Sequence, residues 1–160
     1  MARIGPTRND LGANTRIISV GLLNAALADL IDLTNAVRMA HWTVRGPQFA
    51  ALHEQFGGFY DQLGTQVDDV AERIVQLGGT PEGTTQLVGA NTRLAPYSEE
   101  TRDGLAHVAA LVERYAALAA TTRAAVDEAA AAGDADTADL LTGTSRMLDK
   151  ALWMLEAHLG

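Results

Sequence analysis

Four side chains able to bind a metal stand out by type and spacing. His41 and His53 lie in the stretch RMAHWTVRGPQFAALHEQF, twelve positions apart, with Trp42 directly after the first. Asp68 and Glu72 follow in VDDVAERIVQLGG, at i and i+4, which puts both carboxylates on one face of a helix. Taken alone, a histidine near a helix end is usually a cap or a core residue, and a carboxylate pair is usually a solvated face. Together they offer two imidazoles and two carboxylates. That set suits iron, zinc or manganese better than calcium or magnesium, which favour oxygen ligands throughout.

Distance restricts how the four can meet. His53 and Asp68 are fifteen residues apart, roughly 22 Å along a straight helix. Metal ligands must lie about 2 Å from the ion. One helix therefore cannot bring them to one ion. Two copies of that helix, antiparallel across a twofold axis, can. His53 of one copy then faces Asp68 and Glu72 of the other, and the symmetry builds two identical sites. The intrachain alternative, Glu-x-x-His motifs on two helices of one bundle, has no match here: no Glu is followed three positions later by His. His107 and His158 have no such carboxylate neighbours and read as core or surface residues.

The elements that must carry these residues are helical. The 160 residues fit one domain, with 48% hydrophobic and only 5% aromatic content, four Pro, and Ala and Leu abundant. Gly46 and Pro47 separate a first helix, with Asn14 or Thr15 as its cap and Trp42 near its end, from a second. In the second, Phe49, Leu52, Phe56, Phe59, Leu63, Val67, Val70, Ile74 and Leu77 recur every three or four residues until Gly78-Gly79. Residues 80–98 read as a long connection holding a short helix in TTQLVGAN. Ser98 is the expected cap of a third helix with Glu99 and Glu100 in its first turn, and a fourth begins near Asp136. The expected fold is all-α: a four-helix bundle of two hairpins joined by a long crossover that carries a short helix. Residues 1–13 are the expected flexible tail, and 14–160 the bundle domain.

Composition excludes other classes. There is no cysteine, so disulfides, thiolate metal sites and thiol catalysis are ruled out. The net charge of −8 opposes a phosphate backbone. The opening MARIGPTRND has no apolar signal core, and no segment is expected to be long and apolar enough to span a bilayer, so a cytoplasmic location is expected.

The stretches AHWTVRGPQFAALHEQF and VDDVAERIVQLGG, with DTADLLTGTSRMLDKALWMLEAHL near the C-terminus, closely resemble the Dps family, the mini-ferritins named as DNA-binding proteins from starved cells. The likeness runs from about residue 15 to 159. It implies a ferritin-like bundle assembled as a hollow dodecamer, with ferroxidase centres shared between subunits at twofold interfaces. By position, His41, His53, Asp68 and Glu72 match the iron ligands, and Trp42 matches the tryptophan beside the centre. The implied activity is oxidation of Fe(II), with hydrogen peroxide preferred over dioxygen, and storage of ferric mineral, which limits oxidative damage. Zinc or manganese are further candidates for the same ligands.

Some positions depart from that pattern or extend it. Where the family commonly has an Asp one turn after the second His, this chain has Gly57, followed by Gly58. One tight metal position and one labile one are therefore expected. Glu54 points about 100° away around the helix, and Asp61 shares the right face but lies roughly 12 Å further along the axis. Asp134, Asp136 and Asp139 in GDADTADL fit ordinary capping at a helix N-terminus, and by resemblance they line an acidic threefold pore. The tail holds Arg3, Arg8 and Arg16 but no Lys. DNA binding is not the favoured reading, although twelve tails can act together. The alternative function is a nucleoid-associated protein that coats or compacts DNA around an impaired metal centre.

Overall fold

The computed structural model describes residues 3–160. Five helices appear in order: α1 (Ala13–Thr43), α2 (Phe49–Gln76), α3 (Thr85–Asn91), α4 (Gly104–Ala131) and α5 (Ala135–Glu156). The four long ones form the bundle. α1 and α2 pair as one hairpin and α4 and α5 as the other, and the crossover between them carries α3. The apolar stripe of α2 is the one expected: Leu52, Phe56, Phe59, Leu63, Val70 and Ile74 are all buried. They face Leu23, Leu27, Leu30 and Leu33 of α1, Leu111 and Leu118 of α4 and Leu148 of α5 in one continuous core. Gly57 and Gly58 do not interrupt α2. Its end comes at Gly78, whose φ of +82° an L side chain rarely adopts.

Carboxylates on α1 hold the crossover in place. The fully buried Asp29 accepts hydrogen bonds from the Arg93 backbone N–H at 2.7 Å, from Nε at 2.9 Å and from Nη2 at 2.7 Å. A buried carboxylate left unpaired would be strongly destabilising, so this fork is what permits Asp29 in the core. Asp32 accepts from the Thr92 hydroxyl at 2.8 Å and pairs with Arg114 of α4 at 2.9 Å.

Three details differ from the sequence expectation. The cap of α4 is Asp103, whose Oδ2 accepts from the Ala106 N–H at 3.0 Å, and not Ser98. The reason is a backbone bridge: Arg45 N–H donates to Arg102 O at 2.8 Å and Gly104 N–H to Arg45 O at 3.1 Å, which holds the residues before Gly104 extended. Ser98 accepts from the Glu100 N–H instead, so Glu99 and Glu100 sit in a turn ahead of the helix. At α1 the N-cap is Gly12, and the Thr15 hydroxyl donates to Ala132 O beyond the end of α4. Finally, α1 is long and apolar enough to cross a membrane by length and composition alone, contrary to expectation. Here its apolar residues form the bundle core.

The segment expected to be a flexible tail begins outside the described residues. From residue 3 to Gly12 it has no helix or strand. It runs past the end of α2, where Gly5 N–H donates to Gly78 O at 2.7 Å and the Arg16 guanidinium donates to Leu77 O at 3.1 Å.

Candidate metal centre

The five residues between α1 and α2 fold back sharply, with Gly46 at φ +107°. His41, in the last turn of α1, is thereby set against His53, in the second turn of α2. The imidazoles stack with centroids 3.8 Å apart and 20° between planes. Each ring secures the other's helix. His41 Nδ1–H donates to His53 O at 2.7 Å, and His53 Nδ1–H donates to His41 O at 2.8 Å. The carbonyl of His41 lies in the last turn of α1, where intrahelical donors run out, so this bond satisfies a group otherwise left open. With Nδ1 of each ring taken by a carbonyl, Nε2 is the nitrogen left on each to bind a metal. Phe49 stacks on the far side of His53 at 5.3 Å.

Gly57 is part of this arrangement. A Cβ built there would stand 3.3 Å from His41 Cε1 and 3.5 Å from Nδ1. The missing side chain lets the His41 ring lie directly on the α2 backbone. Sequence reasoning saw in Gly57 only a lost ligand.

Trp42 is 62% exposed and stacks with Arg38, whose guanidinium carbon is 4.8 Å from the Trp42 ring centre and 5.0 Å from that of Tyr60. Arg38 Nη1 also donates to the Tyr60 hydroxyl at 3.0 Å. Arg38, His41, Trp42, Gly57, Tyr60 and Asp61 line one depression of about 330 Å³. Arg38 and Tyr60 were missed from the sequence, although the i, i+4 spacing of Arg38 and Trp42 was readable.

Asp68 and Glu72 stand further along α2, exposed and without an ion-pair partner among the described residues. Glu72 shares a second depression, of about 350 Å³, with Asp69, Arg73, Gln76, Asp136 and Leu140. Among the described residues no three His, Asp or Glu side chains of one chain gather closely enough to hold a metal. His53 and the carboxylates of Asp68 and Glu72 stand apart along α2. Two neutral imidazoles and two carboxylates would match the charge of a divalent first-row ion.

The three aspartates near the start of α5 differ. Asp134 is buried. It caps α5 by accepting from the Thr137 N–H at 3.0 Å and pairs with Arg73 at 2.8 Å. Burial alone would raise its pKa, but hydrogen bonds from Thr137 and the charge of Arg73 hold it below the usual carboxylate range. Asp136 and Asp139 are exposed, and the nearest cation to Asp136 is Arg73 at 3.8 Å. His107 is a buried core residue. The Tyr97 hydroxyl donates to its Nδ1, and its Nε2–H donates to the Thr43 hydroxyl at 3.3 Å. Burial keeps Tyr97 protonated, its pKa pushed up to about 12. His158 bonds Gln55 Oε1 at 2.8 Å.

Known proteins share this architecture. The Ferritin family, a ferritin-like domain, matches residues 20–160. The chain is 46% identical over 153 residues to the DNA protection during starvation protein of Agrobacterium fabrum, covering 96% of this chain and 94% of that protein. It is 36% identical over 148 residues to the DNA protection during starvation protein 2 of Bacillus anthracis, covering 91% and 98%. The solved structure of DpsA14 from Streptomyces coelicolor superposes with a TM-score of 0.94 at 36% identity, covering 99% of this chain and 94% of that one. The Dps protein of Vibrio cholerae, described as a member of a broad superfamily of ferritin-like diiron-carboxylate proteins, superposes with a TM-score of 0.91 at 26% identity, covering 99% and 100%. With the sequence matched over nearly its whole length and the fold matched as closely, this chain belongs to the Dps family of ferritin-like proteins.

Proposed function

We propose that the protein is a Dps-type ferroxidase and iron store. Its centre is completed between two copies of the chain, in a dodecameric shell. The observation that carries this reading is the histidine clasp: each Nδ1 donates to the other residue's carbonyl, which leaves Nε2 of each ring as the nitrogen for a metal, and among the described residues no three His, Asp or Glu of one chain gather closely enough to complete a site. Asp68 and Glu72 of a twofold-related copy supply what is lacking.

In this reading Fe(II) is the substrate. His41 and His53 hold it through nitrogen, while Asp68 and Glu72 offset its charge and favour the ferric product. Two Fe(II) ions each give up one electron. One hydrogen peroxide takes both and, with two protons, leaves as two waters, so no single-electron radical is released. Dioxygen is the alternative oxidant, and zinc or manganese can compete for the same donors. Asp136 and Asp139, exposed at the start of α5, serve iron entry, whereas Asp134 serves the fold. Iron storage and protection from oxidative damage, in the cytoplasm, follow from the activity. The net charge of −8 weighs against DNA coating as the main role.

The test is anaerobic Fe(II) loading of the assembled protein, then peroxide, with oxidation followed optically and retained iron counted per particle. Fast oxidation with many irons retained supports the reading. Oxidation no faster than in buffer overturns it.

A further inference from the structure

We propose that the groove between α2 and α5 binds a compact oxyanion, of which inorganic phosphate is the simplest, held by Arg146, Lys150 and the side-chain amide of Gln66.

Arg146 and Lys150 stand at i and i+4 on α5, so both project from one face. With Gln62, Thr65 and Gln66 of α2 and Gly143 of α5 they line a depression of about 460 Å³. No carboxylate lines it, unlike the depressions that hold Asp61 and Glu72. Neither cation forms an ion pair among the described residues. Asp149, next to Lys150, is turned instead to Arg123 of α4 at 2.8 Å. Arg146 also borders the α4 side, where Asp127 lies, and forms no ion pair with it. Two like charges one turn apart repel, and an anion between them offsets that repulsion.

The neutral residues add direction. The buried Thr144 hydroxyl donates to Gln66 Oε1 at 2.7 Å. The carbonyl end of Gln66 is thereby held against α5, and its NH2 is the end left for the groove. A helical side chain leans back over the preceding turn, which takes Arg146 toward Gly143. A Cβ at Gly143 would meet nothing within 4 Å, so the space there is open. A guanidinium, an ammonium and an amide NH2 are all donors, the set that a tetrahedral anion of several acceptor oxygens takes.

The flanks set the size of the ligand. Asp61 and Asp69 stand one turn to either side of Thr65 on α2, both exposed. They repel a phosphodiester strand laid along the groove, whereas a single ion is short enough to stay at the cations.

Calorimetric titration of inorganic phosphate into the assembled protein, in a buffer free of phosphate, tests the assignment. One saturable site per chain is expected. Arg146→Gln and Lys150→Gln should each weaken it about threefold to fivefold, the scale of one exposed charge contact. Gln66→Glu keeps the oxygen that Thr144 bonds and turns the amide end into a carboxylate, so it should abolish binding. The three replaced residues are exposed or half-buried, and helical circular dichroism checks that each variant is folded. Arg8→Gln removes an exposed charge outside the groove and should leave binding unaltered. A loss there equal to that of Lys150→Gln would show diffuse attraction and overturn the assignment. So would the absence of a saturable phase, or binding that survives Gln66→Glu. Displacement of bound phosphate by a short DNA duplex would overturn the choice of a free ion in favour of a nucleic-acid strand.

Discussion

His41 and His53 were legible as a pair because two imidazoles twelve residues apart, across a Gly-Pro break, must become neighbours when two helices fold back. Their mutual hydrogen bonds were not legible, since they depend on which carbonyls the helix ends leave open. Nor was the role of Gly57, which emerges only when the His41 ring is seen lying on the α2 backbone. Gly57→Ala tests that role. Removing a helix-interior glycine should stabilise α2 by up to about 1 kcal/mol, while the new Cβ, 3.3 Å from His41 Cε1, displaces the ring. Thermal unfolding and Co(II) titration should therefore move in opposite directions: a higher midpoint and weaker metal binding. A rise in both would show that the His41 position does not depend on Gly57.

At the scale of elements, the long stripes of α1, α2, α4 and α5 were readable because a helix buried on one side must repeat every three to four residues. The start of α4 was not, because the backbone bridge between Arg45 and residues 102–104 overrides the good capping chemistry of Ser98. Two polar nodes join the elements. Arg73 of α2 meets Asp134 and Thr137 of α5, both partners nearly fully buried. Asp134→Ala strands that guanidinium and removes the cap, at a cost of about 3 kcal/mol, measurable by denaturant unfolding. Because the pKa of Asp134 is lowered from 3.8 in the fold, its contribution is present above that value and lost as pH falls below it. His107 acts in a higher window. Burial lowers its pKa from 6.5, so the unfolded chain binds the proton more readily, and stability should decline as pH falls below 6.5. Unfolding free energy measured from pH 7.5 downward should show this decline, and His107→Gln should flatten it.

On the scale of the molecule, Trp42 and Trp153 are 62% and 64% exposed, and Phe49 and Val75 also face outward. Exposed large apolar residues of this number suit surfaces that another copy covers. Acrylamide should quench tryptophan weakly in the native particle and strongly once it is dissociated; equal quenching would place both side chains outside the interfaces. The acidic net charge was readable from the first line, and the fifteen residues between His53 and Asp68 already keep the two from sharing one ion within a straight helix. The spacing of His53 and Asp68 argues for a second copy but not for the residues such a copy would cover, because an interface follows from surface shape and not from the periodicity of one helix.

The shared centre is tested most directly by mixing subunits. Chains carrying His53→Ala lack the imidazole half, and chains carrying Glu72→Ala lack the carboxylate half. Each alone should be inactive in peroxide-driven Fe(II) oxidation. Dissociated, mixed in equal amounts and reassembled, they form mixed dimers in which one of the two sites pairs an intact His53 with an intact Glu72. About a quarter of the wild-type rate should return with random pairing. A mixture as inactive as its components would contradict the account and place the whole centre within one chain.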